Sequence, residues 1–184
     1  MRLKLQTKRL ILRDLKLSDA KDASKNANNL NVSKWMASIP YPYTIKDATK
    51  WINSISKESK KRPRKNYNLG IELKEEKRII GGIGLNLKPE HKKGSFGYWL
   101  GENYWRKGYG SEALEALIDF SFNQLKLRRL EAEVYVGNPS SGKLLEKFGF
   151  KQEGLRRKGH ICKADGKFKD AILYGLLKEE YKKK

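Results

Sequence analysis

The 184-residue sequence predicts a mixed α+β domain, and three stretches carry that prediction. NLGIEL and RIIGGIGLN flank the charged turn KEEK as a β-hairpin does, and SFGYWL at 95–100 reads as the next strand. Leu114, Leu117, Ile118 and Phe122 then recur at i, i+3, i+4 and i+8, the spacing of a helix with one buried face. Beyond that helix, LEAEVYV at 130–136 alternates Leu130, Ala132, Val134 and Val136 in the manner of a half-buried strand. Strands and helices therefore interleave along the chain.

The remaining elements follow from local chemistry. Leu10, Ile11 and Leu12 suggest a first strand, and Ser18 with Asp19 offers an N-cap for a polar helix reaching about residue 29. An aromatic loop, WMASIPYPYT, comes next. Thr44 with Asp47 forms a capping box before a helix whose apolar face is Ala48, Trp51, Ile52 and Ile55. After residue 136, Asn138 is a preferred N-cap and Pro139 suits the first helical position, while Gly149 closes that helix behind Leu144, Leu145 and Phe148. The tail reads as a hairpin turning at Ala164-Asp165-Gly166.

Length and composition bound the function. A chain of this size with 38% hydrophobic residues is expected to be one globular domain, 1–184, without repeats or linkers. MRLKLQTKRLILRDL mixes charges with apolar residues, so neither a signal peptide nor a membrane span is expected, and the cytoplasm is the expected location. A lone Cys162 cannot form an internal disulfide, and with only His91 and His160 beside it no zinc spacing exists, so no metal is expected. Lys+Arg 41 against Asp+Glu 21 gives a net charge of +20, which would steer polyanions toward the surface. The densest run, KESKKRPRK at 57–65, contains Pro63 and is expected to be an exposed loop. With the other lysines scattered and no RNA-binding motif present, a general lysine bias and a ribosome or RNA partner both stay open.

Chemistry concentrates in GENYWRKGYGSEALEALIDF, where a basic glycine-rich loop enters a helix. The first turn of a helix has unpartnered N–H groups and partial positive charge, which makes it an anion site. Gly108 and Gly110 allow positive φ and close approach, and Arg106 and Lys107 add full charges, so phosphate is the natural guest. The Walker pattern is missing, and G-x-G at 108–110 lacks the third glycine and βαβ frame of a dinucleotide fold. Ser141 falls in the first turn of a second helix, near another positive helix end.

TKRLILRDL, GYWLGENYWRKGYGSEA, NPSSGKLLEKFGF and KDAILYGLLKEEY, in this order across nearly the whole chain, resemble the GCN5-related N-acetyltransferases. The nearest branch is the RimJ/RimL type, which acetylates the N-termini of ribosomal proteins. The resemblance implies a mostly antiparallel sheet that splays at a β-bulge, with acetyl-CoA in the splay and its pyrophosphate on the glycine loop. It assigns cofactor binding to Leu100, Arg106, Lys107, Gly108, Tyr109, Gly110, Ser111, Asn138 and Lys143. Trp105 departs from the Gln or Arg with which the wider superfamily starts this loop, but backbone amides of 106–111 bind phosphate whatever the side chains.

The resemblance also implies that the amine attacks the thioester directly, so no protein nucleophile is needed. Ser141, in the N-x-x-S that starts at Asn138, matches the position that supplies a hydroxyl to the departing sulfur, and KLLEKF offers no tyrosine for that task. His160 stands where RimL-type enzymes carry a glutamate base. An imidazole titrating near 6.5 can accept a proton at neutral pH. Ser95 replaces a glutamate frequent in relatives, and a water chain is the other candidate base. Trp35, Tyr41, Tyr43 and Tyr98 are expected to wall the acceptor cleft. The acceptor is expected to be a protein N-terminal α-amine; a small-molecule amine such as a polyamine or an antibiotic-like compound is the alternative. A non-catalytic acetyl-CoA- or RNA-binding relative, and monomer or homodimer, are also left open.

Overall fold

The chain starts with a strand that its charged sequence conceals. In the computed structural model, which describes residues 3–182, β1 (Lys4–Gln6) pairs antiparallel with β2 (Leu10–Asp14), whose Leu10 and Leu12 are fully buried. Asp19 does not use its side chain as a helix cap. It accepts two bonds from Arg13, at 2.7 and 2.9 Å, and one from the Lys16 amide at 2.8 Å. The predicted helix to residue 29 is split further along. α1 (Ala20–Ala27) stops where Asn28 leaves helical geometry and takes the Tyr43 amide on its Oδ1, and Asn29 caps a separate turn, α2 (Leu30–Ser33).

α3 (Ile45–Lys60) opens with the predicted capping box. The Asp47 amide donates to Thr44 Oγ1 at 3.2 Å, and the Thr44 amide donates to Asp47 Oδ2 at 2.9 Å. Such a cap stabilises a helix by about 1 kcal/mol. The helix runs through Lys60, so the first half of the basic run is helical rather than loop. Arg64 is not free either: it pairs with Asp14 at 2.5 Å and lies 4.5 Å above the Tyr67 ring.

The other elements are β3 (Asn66–Leu73), β4 (Arg78–Lys88), β5 (Lys93–Leu100), α4 (Tyr109–Asp119), β6 (Arg129–Tyr135), α5 (Pro139–Lys147), β7 (Lys151–Ile161) and β8 (Phe168–Leu177). Among the described residues eight strands form one sheet in the order β1-β2-β3-β4-β5-β6-β8-β7, antiparallel at every pairing except β5 with β6. One core cluster gathers Leu10, Leu12, Leu114, Leu117, Ile118, Leu130 and Leu145 beneath α4 and α5; a second gathers Ala23, Ala48, Ile52, Ile79 and Trp99 beneath α1 and α3.

The sheet opens at its parallel pairing. β5 and β6 are bonded from Lys93 opposite Arg129 to Phe96 opposite Ala132, and no further, while Gly97–Leu100 continue along β4 alone. Register irregularities fall in the β3–β4 pairing between Ile71 and Glu72, beside the Gly81 that pairs with Leu100, and within β7, where one ends at His160. Opposite the end of β5 that has no β6 partner, β4 carries Gly81 and Gly82. A Cβ on Gly81 would stand 2.3 Å from the Trp99 carbonyl, and one on Gly82 would stand 2.7 Å from the Trp99 indole nitrogen. No helix of the described residues is long and apolar enough to cross a membrane.

Candidate active site

A cavity of about 720 Å³ occupies the opening between β5 and β6. The N-termini of α4 and α5, the segment following α2 and the edge of β5 from Gly97 to Leu100 supply its walls. Trp35, Tyr98, Leu100, Arg106, Gly108, Gly110, Ser111, Asn138, Ser141 and His160, all expected at the site, come together on this lining.

At the α4 end, Gly108 is the N-cap at φ +81, and no side chain caps the first amides of the helix. Those amides face the cavity mouth with helix polarity behind them, which suits an anion. Gly110, where positive φ is allowed, is helical; its hydrogen leaves space for Leu144 and Leu100, whose methyls would lie 3.4 and 3.5 Å from a Cβ. The acid in this first turn does not repel an anion freely, because Glu112 accepts from Thr7 Oγ1 (2.5 Å), the Arg9 amide (2.6 Å) and Arg9 Nε (2.7 Å). Burial pushes its carboxyl up, but those bonds outweigh it and hold the group below the usual range. Arg9 Nη1 also donates to the Lys107 carbonyl at 2.9 Å, which ties the loop to β2. The Trp105 indole donates to the Leu100 carbonyl at 2.8 Å, so this residue closes the end of β5 instead of reaching a phosphate.

Strand alternation gives the two sides of the opening different chemistry. Ala132 and Val134 belong to the cluster under α4 and α5, so Glu133 and Tyr135, out of phase with them, face the other side of the sheet. On the α5 side the Asn138 side chain accepts from the Ser141 amide at 3.3 Å and fixes the first turn, and the Ser141 hydroxyl lies 2.9 Å from the Tyr98 hydroxyl. Burial pushes the Tyr98 phenol up, while the bond to Ser141 acts in the opposite direction. On the other side His160 Nε2 lies 2.7 Å from Glu133 Oε2, and Arg156 holds Glu133 Oε1 at 2.5 Å. Both His160 and Glu133 line the cavity.

Residues 9–151 match the model of the acetyltransferase (GNAT) domain family. The chain belongs to the GNAT family. It is 37% identical over 180 residues to an N-acetyltransferase of Bacillus licheniformis named p20 and described as uncharacterized, covering 96% of this chain and 97% of that one. The ribosomal-protein-serine acetyltransferase of Escherichia coli is 33% identical over 103 residues, 55% of this chain and 56% of that enzyme. In fold, it superposes with a TM-score of 0.81 on the microcin C7 self-immunity acetyltransferase MccE, solved with acetyl-CoA and AMP; the two share 24% identity and each is covered to 93%.

As a GNAT enzyme the protein is an acyltransferase with acetyl-CoA as cosubstrate, and the lining fits that molecule. An uncapped helix N-terminus at one end suits a pyrophosphate, and the β5 edge without a β6 partner beyond Phe96 leaves backbone groups for an extended chain. Among the described residues no cluster of His, Cys, Asp and Glu is placed to hold a metal ion. Cys162 is buried, with Sγ 3.7 and 3.6 Å from the Ser33 and Lys34 carbonyls.

Five expected residues stay off the lining. The Lys107 ammonium lies 5.9 Å from the centre of the Tyr104 ring, and Tyr109 lies 4.4 Å beneath the Arg9 guanidinium. Lys143 is exposed on α5. Tyr43 is 6% exposed within the cluster under α1 and α3, where burial pushes its phenol up to about 12. Tyr41, 48% exposed, faces solvent. Of the aromatic loop only the segment 35–37 reaches the cavity, with Trp35 packed above Gly137. Conversely, Glu133, Tyr135 and Met36 line the cavity unanticipated. The signal for Glu133 was its place in LEAEVYV, an acid in the polar phase of a strand whose end meets the site. Ser95, where a carboxylate was missed, stands opposite Glu131, but that acid is committed to Lys93 at 3.0 Å and Arg129 at 2.9 Å.

Proposed function

We propose that this chain transfers acetyl from acetyl-CoA to the α-amine of a protein N-terminus by direct attack within one ternary complex. The observation that carries this reading is the cavity into which a Tyr98–Ser141 hydroxyl pair and a Glu133-bound imidazole both open, from opposite faces of the sheet. Amides of residues 106–111 and the Arg106 charge hold the pyrophosphate. His160 accepts the proton that the amine loses as its nitrogen bonds to the acetyl carbon. Ser141 donates a hydrogen bond to the sulfur as the carbon–sulfur bond breaks, and the α5 N-terminus stabilises the charge that develops there. Trp35, Met36 and Tyr135 border the acceptor side.

The choice of a polypeptide acceptor is supported by likeness to the Escherichia coli ribosomal-protein-serine acetyltransferase over about half of each chain. A net charge of +20 also suits an acceptor displayed on an anionic assembly such as the ribosome better than a free polycation. Incubation of the purified chain with acetyl-CoA and an unacetylated cell lysate, read by mass spectrometry of N-terminal peptides, should reveal a small set of new acetylated N-termini. Turnover of small amines with no new acetylated N-terminus would reject the polypeptide acceptor.

A further inference from the structure

His160 replaces the glutamate that the family resemblance led one to expect, yet a carboxylate is still present, delivered by a different strand. Glu133 of β6 reaches past β8 to His160 of β7, with Oε2 2.7 Å from Nε2. An ionised carboxylate only accepts hydrogen bonds, so in the neutral ring Nε2 carries the hydrogen and Nδ1 is the acceptor. We propose that Glu133 is the positioning residue of this enzyme: it fixes the Nε2–H tautomer of His160, leaves Nδ1 to take the acceptor's proton, and stabilises the imidazolium that results. This rests on the reading of His160 as proton acceptor.

The surroundings are consistent with that division of labour. Arg156 occupies the second oxygen of Glu133 at 2.5 Å, so the carboxylate is held at both ends and its plane is set. The Tyr135 ring lies 6.3 Å from the imidazole, centre to centre. Lys169 of β8 is directly opposite His160 in register, but its ammonium is taken by Asp165 at 2.5 Å. Glu133 is thus the charged group in direct contact with the ring, and its side chain and that of His160 are 31% and 36% exposed, open enough to exchange protons with an acceptor.

The test uses the full chain with acetyl-CoA and a peptide bearing a free N-terminal serine. Imidazole ¹⁵N NMR, which needs no turnover, should show the Nε2–H tautomer of His160 in the parent and a mixed population in Glu133→Ala. Glu133→Gln, which keeps a hydrogen-bond acceptor but loses the charge, should move the acidic limb of the pH–rate profile to lower pH. Its rate should fall about three- to tenfold with acetyl-CoA affinity unchanged. Glu133→Ala should lose ten- to a hundredfold in kcat, and Glu133→Asp should recover part of that. In a His160→Gln background, Glu133→Ala should cost nothing more. An unchanged tautomer in Glu133→Ala, or a full further loss in the double variant, would overturn the proposal, the latter by making Glu133 itself the base. Parent-rate turnover by His160→Gln would remove the proton-acceptor reading beneath it, and the NMR result would tell that failure from the first.

Discussion

Ser141→Ala tests the leaving-group half of the mechanism. The change removes an Oγ that lies 2.9 Å from the half-buried Tyr98 hydroxyl. Two losses follow, of different kinds. In the resting protein a half-buried phenol on the cavity wall loses its partner, which costs about 1 kcal/mol or less and appears in stability, not in rate. In the transition state a hydrogen bond to a sulfur gaining negative charge disappears. A donor to developing charge contributes about 1.4–4 kcal/mol, which is roughly ten- to a thousandfold in kcat. Because the sulfur is nearly neutral in the bound thioester, acetyl-CoA affinity measured by calorimetry should barely change, and binding and rate should separate. Tyr98→Phe should lower kcat by less, roughly three- to tenfold, since Ser141 keeps its hydroxyl but loses the bond that aims it. In the Ser141→Ala background, Tyr98→Phe should have little further effect on kcat, because its influence acts through the missing serine. Release of free thiol from acetyl-CoA, with a peptide acceptor bearing a free α-amine, reads all four proteins. Ser141→Ala turning over at the parent rate, or additive losses in the double variant, would refute the hydroxyl-pair argument.

Two further perturbations address the anion loop and the ion pair at the start of α1. Gly108→Val puts a β-branched residue at φ +81, with its Cβ 3.2 Å from Arg9 Nη2; acetyl-CoA affinity should weaken at least about tenfold while circular dichroism stays native, and an unchanged Kd would sink the loop assignment. At Asp19 burial pushes the carboxyl up, but bonds from Arg13 and the Lys16 amide outweigh it and hold it below the ordinary carboxylate range. Its contribution is therefore complete above the unfolded pKa of about 3.9 and lost as pH falls through the lower folded value. Asp19→Asn should cost about 2–3 kcal/mol in urea unfolding at pH 7, since Arg13 keeps Glu72 at 2.6 Å, and should flatten the loss of stability below pH 4; an equal acid slope in parent and variant would contradict this.

Elements that close on local chemistry were legible in the sequence. Thr44 with Asp47, Asn138 with Pro139, and Gly149 at φ +88 each settle a helix end within four residues, so reading the chain residue by residue finds them. β1 escaped because Lys4, Leu5 and Gln6 show no apolar run; what makes them a strand is the row of open backbone groups on β2. The break at Asn28 escaped because that asparagine answers to Tyr43, fifteen positions on. Tyr43 and Tyr41 show the same limit from the other side: an aromatic residue type predicts contact with something, not with which surface.

Glu133 is the case that matters for chemistry. Along LEAEVYV it occupies the polar phase of the strand, where an acid ordinarily meets water, and nothing within the stretch distinguishes it from Glu131. The difference is made elsewhere. Glu131 lies inside the span where β5 and β6 are bonded, next to Lys93 and Arg129, and is neutralised there. Glu133 comes one residue after the last bonded pair, Phe96 with Ala132, so the same outward phase now faces an opening instead of a neighbouring strand. A two-residue step thus separates a carboxylate committed to Lys93 and Arg129 from one shared between Arg156 and His160, and where that step falls depends on a β5–β6 register set by strands more than thirty residues apart.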